Sequence, residues 1–145
     1  MNQESDRYGA GLLLVRQHRS EDLQILLGRR TRRFCRGKLA NPWGRLKRGE
    51  ALCDCAVRET AEEAGDWVRG TRVKEWRDLR VPGVMHYRCG LVVLDDKVQP
   101  PDVFTCHELS EMGWYSLSDL LQQKKDIFPI TRHWLYRFGV YRSMR

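Results

Sequence analysis

No apolar run in this chain of 145 residues approaches the roughly 20 residues needed to cross a bilayer, so a membrane span is not expected. The opening MNQESDRYGAG lacks a basic-then-apolar leader pattern, and no secretory signal is expected from it. No pair of cysteines has zinc-finger spacing. The cysteine count, 5, is odd, with thiols at Cys35, Cys53, Cys55, Cys89 and Cys106. Cys53 and Cys55 stand two apart on an expected helix and do not face each other. All are therefore expected as reduced, partly buried thiols in a cytosol-like compartment. No repeat, low-complexity tract or linker divides the chain, whose length is that of one domain with one core.

What is present is a 41% hydrophobic composition, enough for that core, and a formal charge of +7. The charge is uneven. Arg29, Arg30, Arg32, Arg33, Arg36 and Lys38 crowd one segment, and Arg45, Lys47 and Arg48 come soon after. Positive potential of this kind steers phosphate-rich ligands. The second of these groups lies inside the stretch GRLKRGEALCDCAVRETAEEAGD, Gly44 to Asp66.

Placed on a helix from Glu50 to Ala64, the acids Glu59, Glu62 and Glu63 have the spacing of one helical face. Their carboxylates are expected to converge. Convergent like charges repel, and a divalent cation relieves the repulsion. Carboxylate oxygens suit Mg2+, Mn2+ or Ca2+ rather than a thiolate-seeking metal. The neighbouring face, Cys53, Val57, Thr60 and Ala64, is small enough to pack on a sheet. Gly65 suits a left-handed helix cap. A solvated acidic face is the bland alternative for such a charge run.

The spacing Gly44, Glu50, Arg58, Glu59, Glu62, Glu63, Gly65 resembles the Nudix box, G-x5-E-x7-R-E-U-x-E-E-x-G-U, at every fixed glycine or polar position. The apolar positions U depart from it, holding Thr60 and Asp66. A Thr60 methyl can face the core if its hydroxyl bonds the preceding turn. The stretch LLGRRTRRFCRGK is similar to the approach to the box in MutT-like members, and Glu108 to Trp114 is similar to the family's later acid-then-tryptophan segment. The resemblance implies Mg2+- or Mn2+-dependent hydrolysis of a nucleoside diphosphate linked to another group, X. It implies an Arg58–Glu50 pair that steadies the box, provided Glu50 lies in a loop folding back. It implies Glu62 and Glu63 as principal metal ligands, completed by the Gly44 carbonyl. Glu59 is implied as the group that orients or deprotonates water, or as a further ligand. Glu108 or Glu111 is implied as an additional carboxylate.

Strands are expected at Tyr8 to Val15, Leu23 to Leu27, Val73 to Val81, Met85 to Leu94 and Met112 to Ser116. Phe34 to Trp43 and Asp95 to Pro101 read as loops. Short helices are expected at Ser118 to Gln123, capped by Ser116 or Ser118, and at Ile130 to Phe138 after Pro129. The class is α+β. The resemblance sharpens it to an α/β/α sandwich around a mixed sheet, with the box as loop-helix-loop.

Substrate contacts are expected among Arg29, Lys38 and Arg45 for phosphate and Phe34, Trp43 and Phe128 for a base. Trp67 and Trp76 are further aromatic candidates, although aromatic side chains more often fill cores. Ile130 and Thr131 stand where oxidised-purine triphosphatases carry acids, and Asn41 is shifted from their asparagine, which disfavours that specificity. Nucleotides rank first as substrates. Capped or triphosphorylated RNA ends rank second, through Trp134, Tyr136, Arg137, Phe138, Tyr141 and Arg142. ADP-ribose ranks third, from Pro82, a weak marker that reads more readily as a Pro-Gly turn before the Met85 strand. A non-catalytic nucleotide- or RNA-binding module is the reading from a different class. Nothing in the sequence specifies a partner surface or an oligomeric state.

Overall fold

The computed structural model describes residues 7–18, 22–95, 100, 101, 104 and 108–140; Cys106, Tyr141 and Arg142 lie outside them. The strands are β1 (Arg7–His18), β2 (Asp22–Arg30), β3 (Leu39–Ala40), β4 (Trp43–Arg45), β5 (Glu75–Val81), β6 (Met85–Leu94) and β7 (Leu109–Ser116). The helices are α1 (Leu52–Ala64), α2 (Leu117–Gln122) and α3 (Pro129–Arg137), with 3-10 turns at Asp66–Gly70 and Lys124–Asp126. Every expected strand and helix is present; β6 has the expected bounds and the others shift at one or both ends. The short strands β3 and β4 fall within and just after the segment read as loop. They are too brief to show a period.

One mixed sheet of 7 strands carries the fold, in the order β3-β2-β1-β6-β5, with β4 on β1 and β7 on β2. The β1–β2 hairpin is antiparallel, with Val15 opposite Ile25, while β1 and β6 run parallel from Arg7/Met85 to Arg16/Leu94. Leu12, Leu13 and Leu14 are all 0% exposed, because β1 is central and covered on both faces. Strand alternation sends Leu13, Val15, Ile25 and Leu27 to α2 and α3, and Ala10, Leu12, Leu14 and Leu26 to α1. The result is an α/β/α arrangement. Among the described residues, no helix is long and apolar enough to cross a membrane.

The packed face of α1 is Cys55, Ala56, Thr60, Ala61 and Ala64, whereas Cys53 and Val57 are only partly covered. The packed face keeps Thr60 and Ala64 of the expected set and is completed by Cys55, Ala56 and Ala61 in place of Cys53 and Val57. Thr60 is 0% exposed, and its hydroxyl finds no hydrogen-bond partner among the described residues, so the expected bond to the preceding turn is not made. Gly65 has positive φ, +117°, as its capping position requires, but ψ of 159° takes it outside the left-handed helical well. Ser116 precedes α2 without a side-chain capping bond; its hydroxyl pairs with Asp22 instead.

Gly11 lets β4 lie against β1. A Cβ there would fall 2.1 Å from the Pro42 carbonyl oxygen and 2.5 Å from Trp43 Cβ. Since backbone cannot yield as a side-chain tip can, Gly11→Ala is expected to destabilise the protein by ~1–3 kcal/mol in urea unfolding. Gly70→Ala, with nothing within 4 Å of its added Cβ, serves as the neutral control. Conversely, Thr60→Val removes a buried hydroxyl without a partner at nearly equal volume. It is expected to raise stability by ~1 kcal/mol in the same measurement.

Candidate active site

The site begins with the turn before α1. Gly49 takes φ +80°, and the Glu50 amide donates to the Lys47 carbonyl at 3.0 Å. The Glu50 carboxylate turns back and accepts the Lys47 amide at 3.1 Å. Glu50 therefore stands in the loop, before the helix, where Arg58 reaches it with a two-pronged contact. Nε donates to Oε2 at 2.7 Å and Nη2 to Oε1 at 3.0 Å. The same guanidinium donates to the Arg45 carbonyl at 3.1 Å, tying β4, the turn and α1 together. It also donates to Glu59 at 2.9 Å and to Glu62 at 3.2 Å, so it lies among the carboxylates rather than away from them. These bonds hold the Glu50 carboxyl down at about 2 and push the Arg58 guanidinium up.

The carboxylates that converge are Glu59, Glu63 and Glu108, each offering an oxygen within 4.8 Å of the others. Glu62 is not among them. Its side chain is 52% exposed and its carboxylate leans on Arg58. Helix geometry is the reason. A step of four residues rotates by about 40°, so Glu63 lies over Glu59 and Glu62 lies over Arg58. The loop carboxylate of the set is Glu108, just before β7. Glu111, at φ +50°, pairs instead with Arg29 at 2.8 Å.

Glu63 is 5% exposed, and its Oε2 has no hydrogen-bond partner among the described residues. Burial, then the charges of Glu108 and Glu59, push its carboxyl up to about 9. Glu59 is also raised by burial, against the opposing bond from Arg58. Gly44 closes the floor. A Cβ at this position would meet Glu59 Cδ at 2.0 Å, so the carboxylate occupies the place of a side chain. Crowded oxygens, a buried oxygen without a partner and no sulfur or imidazole in the cluster fit a hard divalent cation. The Gly44 carbonyl is shared with the Cys55 thiol at 3.6 Å, and burial pushes that thiol up to about 11.

Above the carboxylates opens a cavity of about 1060 Å³, bounded by Phe34, Trp43, Arg45, Phe128 and the acids just described. Phe34 is 70% exposed at its mouth. Trp43 and Phe128 lie nearly parallel, 9° apart with centroids at 6.3 Å, but Phe128 is 2% exposed and offers no open face to a base. Arg29 and Lys38 do not reach the cavity. Arg29 is engaged by Glu111 and the Gly37 carbonyl, and Lys38 by the Lys125 carbonyl. Strand alternation on β2 puts Arg29 and Arg30 on opposite faces, so Arg30 is the one that lines the cavity. Arg7, Tyr87, Val84 and Met85 also line it. Only the parallel β1–β6 register brings them there.

The other aromatic candidates are structural. Trp67 donates to the Ala64 carbonyl at 2.8 Å and packs with Trp76 against the α1 side of the core. Trp134 is 3% exposed in the opposite core, so it cannot stack on RNA. Pro82 and Gly83 form the β5–β6 turn, closed by the Val84 amide on the Val81 carbonyl at 2.9 Å. Asn41 is buried and bonded to Thr131 at 2.7 Å, joining the loop before β4 to α3.

In chelator, two carboxyls shape stability against pH. Glu63, up at about 9 folded against 4.5 unfolded, keeps its proton in the native state, so stability falls as pH rises through that window. Glu50, held at about 2 against 4.5, contributes stability that is present above pH 4.5 and lost as pH falls toward 2. The contribution of these two carboxyls to the stability of the chelated protein is therefore expected to be largest near pH 4.5, the ordinary value common to both, as read from the melting temperature. Glu63→Gln flattens the alkaline limb, and added Mg2+ reverses it. An alkaline limb that Glu63→Gln leaves unchanged would contradict the assignment.

A family model described as NUDIX domain matches residues 6–138. A Caenorhabditis elegans protein assigned as nudix hydrolase 1 is 31% identical over 121 residues, 81% of this chain; the chain spans only 31% of that protein's length. The crystal structure of a C. elegans Ap4A hydrolase binary complex superposes with a TM-score of 0.69 at 20% identity, covering 96% of this chain and 99% of that one. A bifunctional NMN adenylyltransferase/ADP ribose pyrophosphatase from Francisella tularensis, crystallised with AMP and a Mn ion, gives 0.75 at 16% identity, over 95% of this chain and 42% of that one. With the family model spanning nearly the whole chain, the protein belongs to the NUDIX domain family.

Proposed function

We propose that this chain, as one catalytic domain, hydrolyses a phosphoanhydride in a nucleoside diphosphate linked to a further group, with Mg2+ or Mn2+ as cofactor. The observation that carries this reading is the trio Glu59, Glu63 and Glu108, within 4.8 Å of one another beneath a cavity rimmed with arginines. Those carboxylates, with the Gly44 carbonyl, are the groups that would hold the cation. Once bound, it supplies positive charge beside the phosphate oxygens and acidifies water.

The chain's own residues do the rest. Phosphoryl transfer depends on positioning and charge neutralisation more than on covalent chemistry. Arg58 keeps Glu59 oriented by a bond at 2.9 Å while Glu50 anchors the guanidinium. Glu59, whose carboxyl burial raises above its ordinary value, is the candidate to orient or deprotonate the attacking water, or to serve as a further ligand. Arg45 and the other cavity arginines attract and align the phosphate chain. Phe34 gives the nucleobase an exposed ring.

Nucleoside triphosphates and related nucleotides are the favoured substrates. The cavity, at about 1060 Å³, also accommodates a dinucleoside polyphosphate, and the Ap4A hydrolase likeness supports testing that class. ADP-ribose is a further candidate, from the likeness to an ADP ribose pyrophosphatase. The free thiols of Cys35, Cys53, Cys55 and Cys89 suit a reducing compartment such as the cytosol.

A Mg2+ and Mn2+ activity screen over NTPs, dinucleoside polyphosphates, ADP-ribose, NADH and capped RNA tests the reading. On the best substrate, Glu63→Gln is expected to lower turnover at least ~10²-fold, whereas Glu62→Gln costs less than ~10-fold. Near-normal turnover of Glu63→Gln, or no cation-dependent phosphate release from any substrate, overturns it. A silent screen with intact nucleotide binding would point to a binding module instead.

A further inference from the structure

Arg30 differs from three of the cationic side chains near the site, and from the other arginines of the cavity wall by how its guanidinium is held. Arg29 is spent on Glu111, Arg32 on Glu108 at 2.9 Å, and Arg58 on Glu50, Glu59 and Glu62. Arg30 forms no ion pair among the described residues. Its guanidinium carbon lies 4.3 Å from the Phe128 ring centroid and 5.8 Å from that of Trp43. Its Nε donates to the Phe34 carbonyl at 2.9 Å. The backbone on either side is pinned as well. The Arg30 amide donates to Lys38, at 2.9 Å, and its carbonyl accepts Gly37, at 2.8 Å.

The plane of this guanidinium is thus fixed from both the ring side and the Nε side. Its terminal nitrogens, by contrast, have no protein acceptor among the described residues, although the side chain is half-buried and lines the cavity. Burial holds the guanidinium below its ordinary value, as expected of a desolvated cation without a counter-ion. A fixed fork of free N–H donors matches two oxygens of one phosphoryl group. Position assigns which one. The Arg30 guanidinium packs on Phe128 and Trp43, while β2 and β7 place its backbone opposite Leu109, the neighbour of Glu108, in the wall shared with the acidic trio. A nucleotide spanning from Phe34 to the acids would carry its nucleoside-linked phosphate past this point.

Resting on the nucleotide reading above, we propose that Arg30 is a substrate-positioning residue that clamps the phosphate attached to the nucleoside, through its terminal nitrogens, from a perch stacked on Phe128. It holds the half of the substrate that stays behind as a nucleoside monophosphate. Preorganisation is what sets it apart from exposed arginines on the rim, which must lose side-chain freedom on binding.

The test needs neither turnover nor a cation. Calorimetry in EDTA measures the full chain with AMP, GMP, CMP and UMP and with the matching nucleosides. For the best-bound base, the monophosphate is expected to bind at least ~10-fold more tightly than its nucleoside. Arg30→Lys, which keeps the charge but loses the flat fork, is expected to remove most of that difference while changing nucleoside affinity less than ~3-fold. Arg72→Gln, which removes an exposed charge outside the cavity, keeps the difference. If wild type does not favour any monophosphate over its nucleoside, the proposal fails. It fails also if Arg30→Lys retains the difference or weakens both ligands equally, the mark of a base contact or a structural role. Should the variant not fold, a crystal of the wild type soaked with the monophosphate decides: a phosphate beyond hydrogen-bond reach of Arg30 refutes the clamp. A positive result with a silent activity screen would sink the hydrolase reading and leave the clamp standing.

Discussion

Three carboxylates crowd within 4.8 Å of one another, and one of them, Glu63, is almost sealed from water. Like charges at such separations repel, and desolvation of a carboxylate adds to the cost. Much of the surrounding structure offsets this strain. Arg58 draws one oxygen of Glu59 aside, Glu50 fixes Arg58, and Gly44 leaves the space that the Glu59 carboxylate fills. None of these contacts reaches the buried oxygen of Glu63, and a hard cation is the partner best suited to it.

The sheet explains how such a cluster is held rigid. β4 carries Gly44 because β1 accepts it as an antiparallel neighbour, opposite Ala10, and α1 lies across the same face through its small residues. Glu108 arrives from the far end of the chain, fastened by Arg32 and by its carbonyl to the Thr31 hydroxyl at 2.8 Å. On the opposite wall, α3 begins at Pro129 and brings Phe128 onto Leu39 and Trp43; the buried Asn41–Thr131 pair keeps helix and loop in register. Two layers that share no sequence neighbourhood therefore meet at one cavity. The acids belong to the α1 side and the aromatic wall to the α3 side.

Much of this was legible residue by residue. The continuous apolar run of β1 reads as a strand buried on both faces, and alternation and turn residues locate β2, β5 and β6. The spacing from Gly44 to Gly65 marks loop, helix and acids. The bond from Arg58 to Glu50, which the family resemblance implies, needs only a turn before the helix, which Gly49 provides. Glu59 and Glu62 are harder to rank as ligands from their spacing. Steps of three and four residues both count as one face, yet they diverge by opposite rotations, and Arg58 claims the acid that lies over it. Arg29 and Arg30 are indistinguishable as letters. A strand sends them to opposite sides, and a bulge between Leu27 and Arg29 in the β2–β7 pairing alters the register there.

By itself the sequence determined the features that local periodicity and local chemistry fix: the mixed set of strands and helices, the helix that bears the acids, and the cationic character of the segment before it. These depend on residues within a few turns of one another. Tertiary structure alone decided that Glu108 rather than Glu111 joins Glu59 and Glu63, that Phe128 is covered, and that Arg30 faces the cavity with its donors free. Each of those outcomes depends on strand register between segments far apart in the chain. Register is set by the whole buried pattern at once, and a spacing motif carries no record of it.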